Sequence, residues 1–494
     1  MSTLTSPSLK KNALLSDIRL ALSFLLPLVT FPYVSRILGT DGVGKVEFAN
    51  SFAQYFVLFT ALGIPTYGIR EVSRVRDDSF LLSKTVAELS LILVFTVFAG
   101  YVVYFACIFF IPFFNSEPRL FLIVAPTIIL SDFSFEWFYQ GIENQRYITV
   151  RYIFIKLAQL VLIFAFIKQT ADYLKYALIL VGLNAASSVF NIAHLRKYVH
   201  FVPYKCLELK KHLRPILVIF ASVVAVSIYT QLDTVMIGFF RGNVEVGIYT
   251  AANRVVRIVI ALVTSLSSVI IPKLVSALKN NHLDEYKNLL DKSLSFVLLL
   301  ALPCIFGILV CADDIILLFA GSGFESAIFS IRLLCPIILI VGLASFVGLQ
   351  VLYANKKEKY YTVAVSVAAT VNFVSNFIMI PKIGQVGAVF GTLIAETVGL
   401  CIMSFLGRVF FMEAELKVHV WKYFLGAGVM GIAVFLLKRF FVSVEFPMAA
   451  RLSVCVLAGG VLYAIVMVLL RENLCINLLR QVMNKIELKS RGIK

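Results

Sequence analysis

The 494-residue chain is 60% hydrophobic and 15% charged, with a mean hydropathy of +0.92. Soluble domains carry about 25% charged residues, so a water-soluble enzyme is excluded. The net charge of +17 does not gather on one solvent face, as nucleic-acid binding requires; it is scattered in clusters between apolar blocks of about 20 residues, the length that crosses a bilayer.

In chain order these blocks cover residues 14–38, 46–67, 86–112, 119–140, 149–167 and 174–194. After a basic stretch come 215–240, 247–273, 293–312, 328–353, 360–381, 385–408, 420–438 and 447–470. The pattern predicts an all-α membrane protein of about 14 transmembrane helices. Barrels are excluded, because the two-residue alternation of lipid-facing strands is absent. Lys10 and Lys11 precede the first block, but it runs about 25 residues with no A-x-A cleavage site and reads as a retained helix. Lys and Arg follow the positive-inside rule: about 31 of the 45 fall in alternate loops, about 10 in the others and about 4 within spans. Both termini are therefore expected in the cytoplasm.

A repeat is visible inside the chain. Val43-Gly44 with Ala49-Asn50 opens the second span, and Val246-Gly247 with Ala252-Asn253 opens the eighth, both as V-G-x-x-x-x-A-N. Tyr147-x-Thr149-Val150 and Tyr360-x-Thr362-Val363 echo each other before spans five and eleven. The matches align spans 1–6 with spans 7–12 as two six-helix pseudo-repeats around a central cavity, the layout of an alternating-access carrier. The expected divisions are an N-terminal lobe over 1–195, a basic cytoplasmic linker over 196–214, a C-terminal lobe over 215–410, and spans 13–14 with a basic tail over 411–494.

Charges within spans are costly and mark function by default. Arg254 and Arg257 sit three apart on one face of span eight, about 10 and 15 Å deep. They read as a cationic wall for an anionic group, a phosphate by the match to the guanidinium fork, or as a helix contact salt-bridged to Glu396. Lys156 on span five is a second cation for substrate, and Arg36 at the outer end of span one a third. Asp233, near the outer rim, is expected to bind a coupling cation or to pair with Arg254. Glu136 on span four joins Asp233 and Glu396 as a group for ion coupling or charge pairing, and either Glu136 or Arg36 can also snorkel to an interface. Asp17 and Arg19 read as charges at the mouth of span one. Pro27 and Pro32 interrupt the first span as hinge elements or static bends.

Other chemistry is excluded. The eight cysteines form no C-x-x-C pair and mostly read as small buried hydrophobes. The five histidines lack metal-ligand spacing, and no cofactor is implied. Gly39 to Lys45 satisfies G-x-x-x-x-G-K, but Val46 replaces the magnesium-binding hydroxyl and no strand precedes it, so it is no phosphate loop.

Leu26-Pro-Leu-Val-Thr-Phe-Pro-Tyr-Val-Ser-Arg36-Ile-Leu-Gly39, Arg70-Glu71-x-x-Arg74-x-Arg76-Asp77 and Trp137-Phe-Tyr-Gln140-Gly141-x-Glu143 resemble elements of the Wzx-type polysaccharide flippases. So do Asp233-Thr-Val-Met236-Ile-Gly238, Gly247-x-Tyr249 and Ile380-Pro381-x-x-Gly384-x-x-Gly387-Ala388. The resemblance implies the fold of the multidrug/oligosaccharidyl-lipid/polysaccharide exporter superfamily. It also implies transfer of undecaprenyl-diphosphate-linked oligosaccharide from the inner to the outer leaflet of the bacterial inner membrane, for O-antigen, capsule or exopolysaccharide assembly. A polysaccharide polymerase and a chain-length regulator are the implied partners; coupling to H+ or Na+ stays open, because Asp233 lies shallower than a midplane ion site would. The alternatives are a drug/cation antiporter of the same superfamily and a flippase for peptidoglycan lipid precursors. A membrane polymerase or ligase is disfavoured, because no outer loop gathers a catalytic set.

Overall fold

The computed structural model describes residues 9–227, 231–414, 416–472 and 474–476, with some side chains inside these ranges, Asp17 among them, outside the description. The described residues form helices and no strand. Twelve stretches among them are long and apolar enough to cross a membrane, which establishes the all-α, multi-pass architecture. The count differs from about 14 for two reasons. Spans one and two run on as a single helix, α1 (Leu9–Ala61). The block at 215–240 is divided between α9 (Lys210–Ser227) and α10 (Leu232–Arg241), with residues 228–230 outside the description.

Two compact units divide between Ile248 and Tyr249. The division falls later than the 196–214 linker because α9 packs on α2 (Ile64–Val75) and α10 on α1.

In the first unit, α1 continues through Pro27 and Pro32 and leaves helical geometry at Gly39, where φ is 67°. A residue with a Cβ rarely adopts that conformation, so the glycine marks where one apolar block ends and the next begins. Leu62 and Gly63, both at positive φ, separate α1 from α2. Helix α2 carries Arg70 and Arg74 on its exposed side and lays Gly68 against the Trp137 ring. Asp78 then caps α3 (Ser79–Phe110), its carboxylate accepting from Phe80 N and Leu81 N at 2.9 Å.

Span four is built from α4 (Pro118–Val124), α5 (Thr127–Asp132) and α6 (Glu136–Gly141). Pro126 interrupts the first junction, and Phe135, at φ 49°, the second. The carbonyls freed there are taken by polar side chains of α8 (Tyr173–Leu195): Ser188 Oγ donates to Leu130 O at 2.7 Å and Asn191 Nδ2 donates to Ser134 O. This is how a broken helix is tolerated in a membrane. Between them runs α7 (Gln145–Phe166).

The first turn of α9 is pinned to α2 and α3. His212 is bonded to Tyr67 Oη at 2.7 Å and to Glu88 Oε2 at 2.8 Å, while Lys211 reaches Glu88 at 2.9 Å. Glu88, which also accepts from Glu208 N at 2.7 Å, is fully buried, and these three partners offset the cost of its charge.

The second unit is entered along α11 (Asn243–Lys279) and holds α12 (Leu283–Phe319), α13 (Ser326–Leu334) and α14 (Ile337–Ser345). A π-helical turn over Phe346–Tyr353 follows. It presents Gln350 Nε2 to Ser267 Oγ at 2.9 Å, and Ser267 is within 3.0 Å of Ser345 Oγ. Next come α15 (Glu358–Ile383), α16 (Gln385–Leu406), α17 (Arg408–Ala414), α18 (Val420–Ser443) and α19 (Met448–Leu469). Asp314 on α12, 1% exposed, binds Arg451 of α19 and, at 3.6 Å, Lys438 of α18. That cluster ties the last two helices to the unit.

Candidate functional site

In the first unit, three charged residues from three helices converge. Glu136 opens α6, and its Oε1 takes Arg19 Nη1 of α1 at 2.5 Å. Its Oε2 takes Arg151 Nη2 of α7 at 3.3 Å. Arg151 is 8% exposed, about 9 Å from the start of α7, and its Nε and Nη1 have no hydrogen-bond partner among the described residues. Among the described side chains, two guanidinium groups therefore share one carboxylate, with a surplus of positive charge and two buried donor nitrogens unsatisfied. A buried donor without an acceptor is expensive. Nε and Nη1 lie on different edges of the guanidinium and call for separate acceptors, which the oxygens of a phosphate or diphosphate can supply.

The arrangement is local in origin. The left-handed turn at Phe135 swings α6 so that Trp137 enters the core beneath Gly68 and Glu136 faces α1 and α7. Arg151 lies one turn beyond Tyr147, whose ring it overlies at 5.9 Å.

The other sequence-predicted residues are placed as follows. Lys156, one turn further along α7, is half-buried, with its Nζ donating to Gln159 Oε1 at 2.8 Å and standing 5.7 Å from the Tyr152 ring. Arg36 is exposed and donates to Pro32 O at 2.7 Å. Asp233 is buried in the first turn of α10 and interacts electrostatically with Tyr55. In the second unit, Arg254 is half-buried, and Arg257 is exposed with its Nε donating to Asn253 Oδ1 at 3.4 Å. Glu396 is half-buried on α16, close enough to Tyr361 to act on it electrostatically. Lys45, of the false phosphate loop, is held by Asp41 at 2.9 Å and Glu117 at 2.8 Å, a structural pairing.

Arg151 was not singled out by sequence reading. It stands three residues into the apolar block, where a cation reads as flank. Arg19 was read as a helix-end charge and is instead one arm of the cluster. The surplus of Arg over Glu in the first turns of spans one and five was the available signal.

The second unit holds a different feature, an apolar cavity of about 450 Å³ between α12, α18 and α19. Pro303, Gly307, Gly459 and Tyr463 line it together with Cys304, Cys311, Cys455 and Cys475. Cys206 and Cys401 are exposed, so the reading of the cysteines as small buried hydrophobes holds only in part. Among the described residues no group of three or more His, Cys, Asp or Glu is placed to hold a metal ion.

The apolar helices, broken in places and carrying buried charges, define a polytopic membrane protein. The fold matches the solved structure of the lipid II flippase MurJ in an inward closed conformation, with a TM-score of 0.72 at 18% identity, over 93% of this chain and 99% of that one. It also matches an inward-facing multidrug resistance MATE family transporter, with a TM-score of 0.61 at 14% identity, over 81% and 99% of the two chains.

The chain belongs to the polysaccharide biosynthesis protein family, whose pattern matches residues 9–278, while the MatE pattern matches 219–378. It is 22% identical to the "Putative O-antigen transporter" of Escherichia coli (strain K12), over 83% of this chain and 98% of that protein. It is 26% identical to the "Probable flippase AglR" of Haloferax volcanii, over 50% and 51% of the two chains.

Proposed function

We propose that the chain is a flippase carrying lipid-linked oligosaccharide, built on a polyprenyl diphosphate, from the inner to the outer leaflet of the bacterial inner membrane by alternating access. The observation that carries this is Arg151, 8% exposed beside an already paired Glu136 and Arg19, with its Nε and Nη1 unpaired among the described residues. A diphosphate can meet those donors while they remain out of water, where charge-assisted hydrogen bonds are strongest.

Lys156, Arg36, Arg254 and Arg257 serve in this reading as further stations for the anionic headgroup. The apolar cavity between α12, α18 and α19 suits a hydrocarbon chain. Asp233 and Glu396 are the coupling carboxylates for H+ or Na+, since Glu136 is spent on charge pairing. Pro27 and Pro32 act as the flexing points of the first span. Both termini face the cytoplasm, following the distribution of Lys and Arg, and a polymerase with its chain-length regulator takes the delivered units. The names of the O-antigen transporter and flippase relatives support transport rather than catalysis.

Leaflet-resolved labelling of lipid-linked glycan in a strain lacking the gene tests the reading. Labelled glycan is expected to accumulate on the inner leaflet and to reach the outer one when the wild-type chain, but not Arg151→Ala, is restored. Normal outer-leaflet glycan in the deletion strain contradicts it.

A further inference from the structure

The second apolar block does not reach its inner end as one helix. Leu62 and Gly63 adopt φ of 48° and 77°, and Pro65 has no N–H to offer the Ala61 carbonyl. The preceding carbonyl, Thr60 O, is taken by Thr96 Oγ1 of α3 at 2.7 Å. Irregular backbone at membrane depth is tolerated where it lines a cavity, and discontinuous helices are where transport folds hold substrate. This break opens on a cavity of about 270 Å³ lined by Gln54, Tyr55, Thr66 and Gln231, with Leu58 and Val223 on its apolar side. None of the lining side chains is charged.

The lining chemistry is specific. Each primary amide brings two donors and an acceptor, and each hydroxyl both a donor and an acceptor. Gln231 is fixed by Ser51, whose Oγ donates to its Oε1 at 3.0 Å. A diphosphate calls for cations and a polyprenyl tail for an unbroken apolar wall, and this cavity is neither. A neutral sugar ring presents the same mixture in complement: hydroxyls around its rim that both donate and accept, and C–H faces that lie against an aromatic ring or aliphatic side chains. The volume falls just below the roughly 300–1,000 Å³ of ligand pockets, which fits one sugar residue rather than an oligosaccharide. Helix α2 begins at this cavity and packs through Gly68 on Trp137, the neighbour of Glu136 in the Arg19–Glu136–Arg151 cluster.

We propose that the cavity bounded by Gln54, Tyr55, Thr66 and Gln231 is a neutral-sugar subsite that receives the residue attached directly to the diphosphate. The proposal rests on the flippase reading and adds a glycan determinant to it. Sites built to hydrogen-bond a hydroxyl discriminate strongly against ligands that lack it.

The test compares the full chain in lipid nanodiscs with two synthetic probes: a bare polyprenyl diphosphate, and the same lipid bearing one N-acetylhexosamine. The wild type is expected to bind the sugar-bearing probe at least tenfold more tightly. Gln54→Leu with Gln231→Leu should bring that ratio close to one while leaving affinity for the bare probe unchanged. A ratio that survives in the double variant, or equal weakening toward both probes, overturns the subsite and leaves the flippase reading standing. Failure of the wild type to bind either probe overturns both. Thr66→Val, at an exposed edge of the cavity, gives the same readout if the double variant does not fold: a ratio at least threefold smaller supports the subsite and an unchanged ratio overturns it.

Discussion

Gly44 and Gly247, the matching glycines of the two V-G-x-x-x-x-A-N elements, pack against each other in the first unit. A Cβ built on Gly44 would stand 2.9 Å from Gly247 N, and one built on Gly247 would stand 3.1 Å from Thr40 Cα. The obstacle on both sides is backbone, which cannot swing aside as a side chain can. The small residues let two helix starts approach closely, the usual device of membrane helix packing.

Gly44→Ala or Gly247→Ala should therefore destabilise the chain by at least the roughly 1–3 kcal/mol of an overpacked core. Gly428→Ala is the control, because nothing lies within 4 Å of a Cβ at that helical position; it should be neutral or mildly stabilising. Thermal unfolding of the detergent-solubilised variants, compared side by side, measures the contrast.

Arg151 should not tolerate lysine. Its planar guanidinium spends Nη2 on Glu136 and keeps Nε and Nη1, unpaired among the described residues, for other acceptors, and an ammonium keeps the charge without that spread of donors. Loss of hydrogen bonds to a charged group costs about 1.5–3 kcal/mol, so both Arg151→Lys and Arg151→Ala should lower the flipping rate roughly ten- to hundredfold. Glycan export in a complementation assay reports this, with exposed Arg196→Ala expected to behave as wild type.

Asp314 is predicted to be the most sensitive charge of the second unit. Removing it takes the carboxylate from Arg451 and leaves Lys438 with Asp313 and the Val310 carbonyl. Breaking a buried pair by deleting one partner typically costs about 3–5 kcal/mol, so Asp314→Ala should unfold the attachment of α18 and α19. The double variant Asp314→Leu with Arg451→Leu should recover much of the loss, because both buried charges are then gone. Limited proteolysis at the segment between α17 and α18 would follow the detachment.

Glu117 sets an acid limit on the start of span four. Burial works against its charged form, but hydrogen bonds from Lys45 and Tyr173 outweigh it and hold the carboxyl below its usual 4.5. A carboxyl depressed on folding stabilises the folded state above its unfolded pKa, and that stability is lost as the pH falls through the folded value. Glu117→Gln should cost about 1.5–3 kcal/mol at pH 7, and its difference from wild type should shrink as the pH falls below the ordinary 4.5 and vanish only below the depressed folded value. Unfolding midpoints of the two proteins across that range provide the check.

The sequence made the membrane class and most span positions legible, because hydrocarbon thickness imposes block length and Lys and Arg mark alternate loops. It also showed the Gly44 and Gly247 repeat, though not that the two copies touch. What escaped it arises where helices break. The turn at Phe135, which aims Glu136 between Arg19 and Arg151, is carried by an ordinary aromatic residue at positive φ. The cavity at Leu62 and Gly63 depends on Gln231 from a distant helix. Intramembrane cations were legible as a class, but which of them is left unsatisfied is decided by tertiary neighbours that spacing does not encode.

Transport itself is the most direct test. With the purified chain in sealed vesicles, a polyprenyl-diphosphate oligosaccharide labelled on its glycan is loaded on one side, and its exposure to an impermeant glycosidase on the other side is followed in time. The account predicts transfer by the wild type well above protein-free vesicles, reduced at least tenfold by Arg151→Ala. Transfer at the protein-free rate, or undiminished by Arg151→Ala, would contradict it.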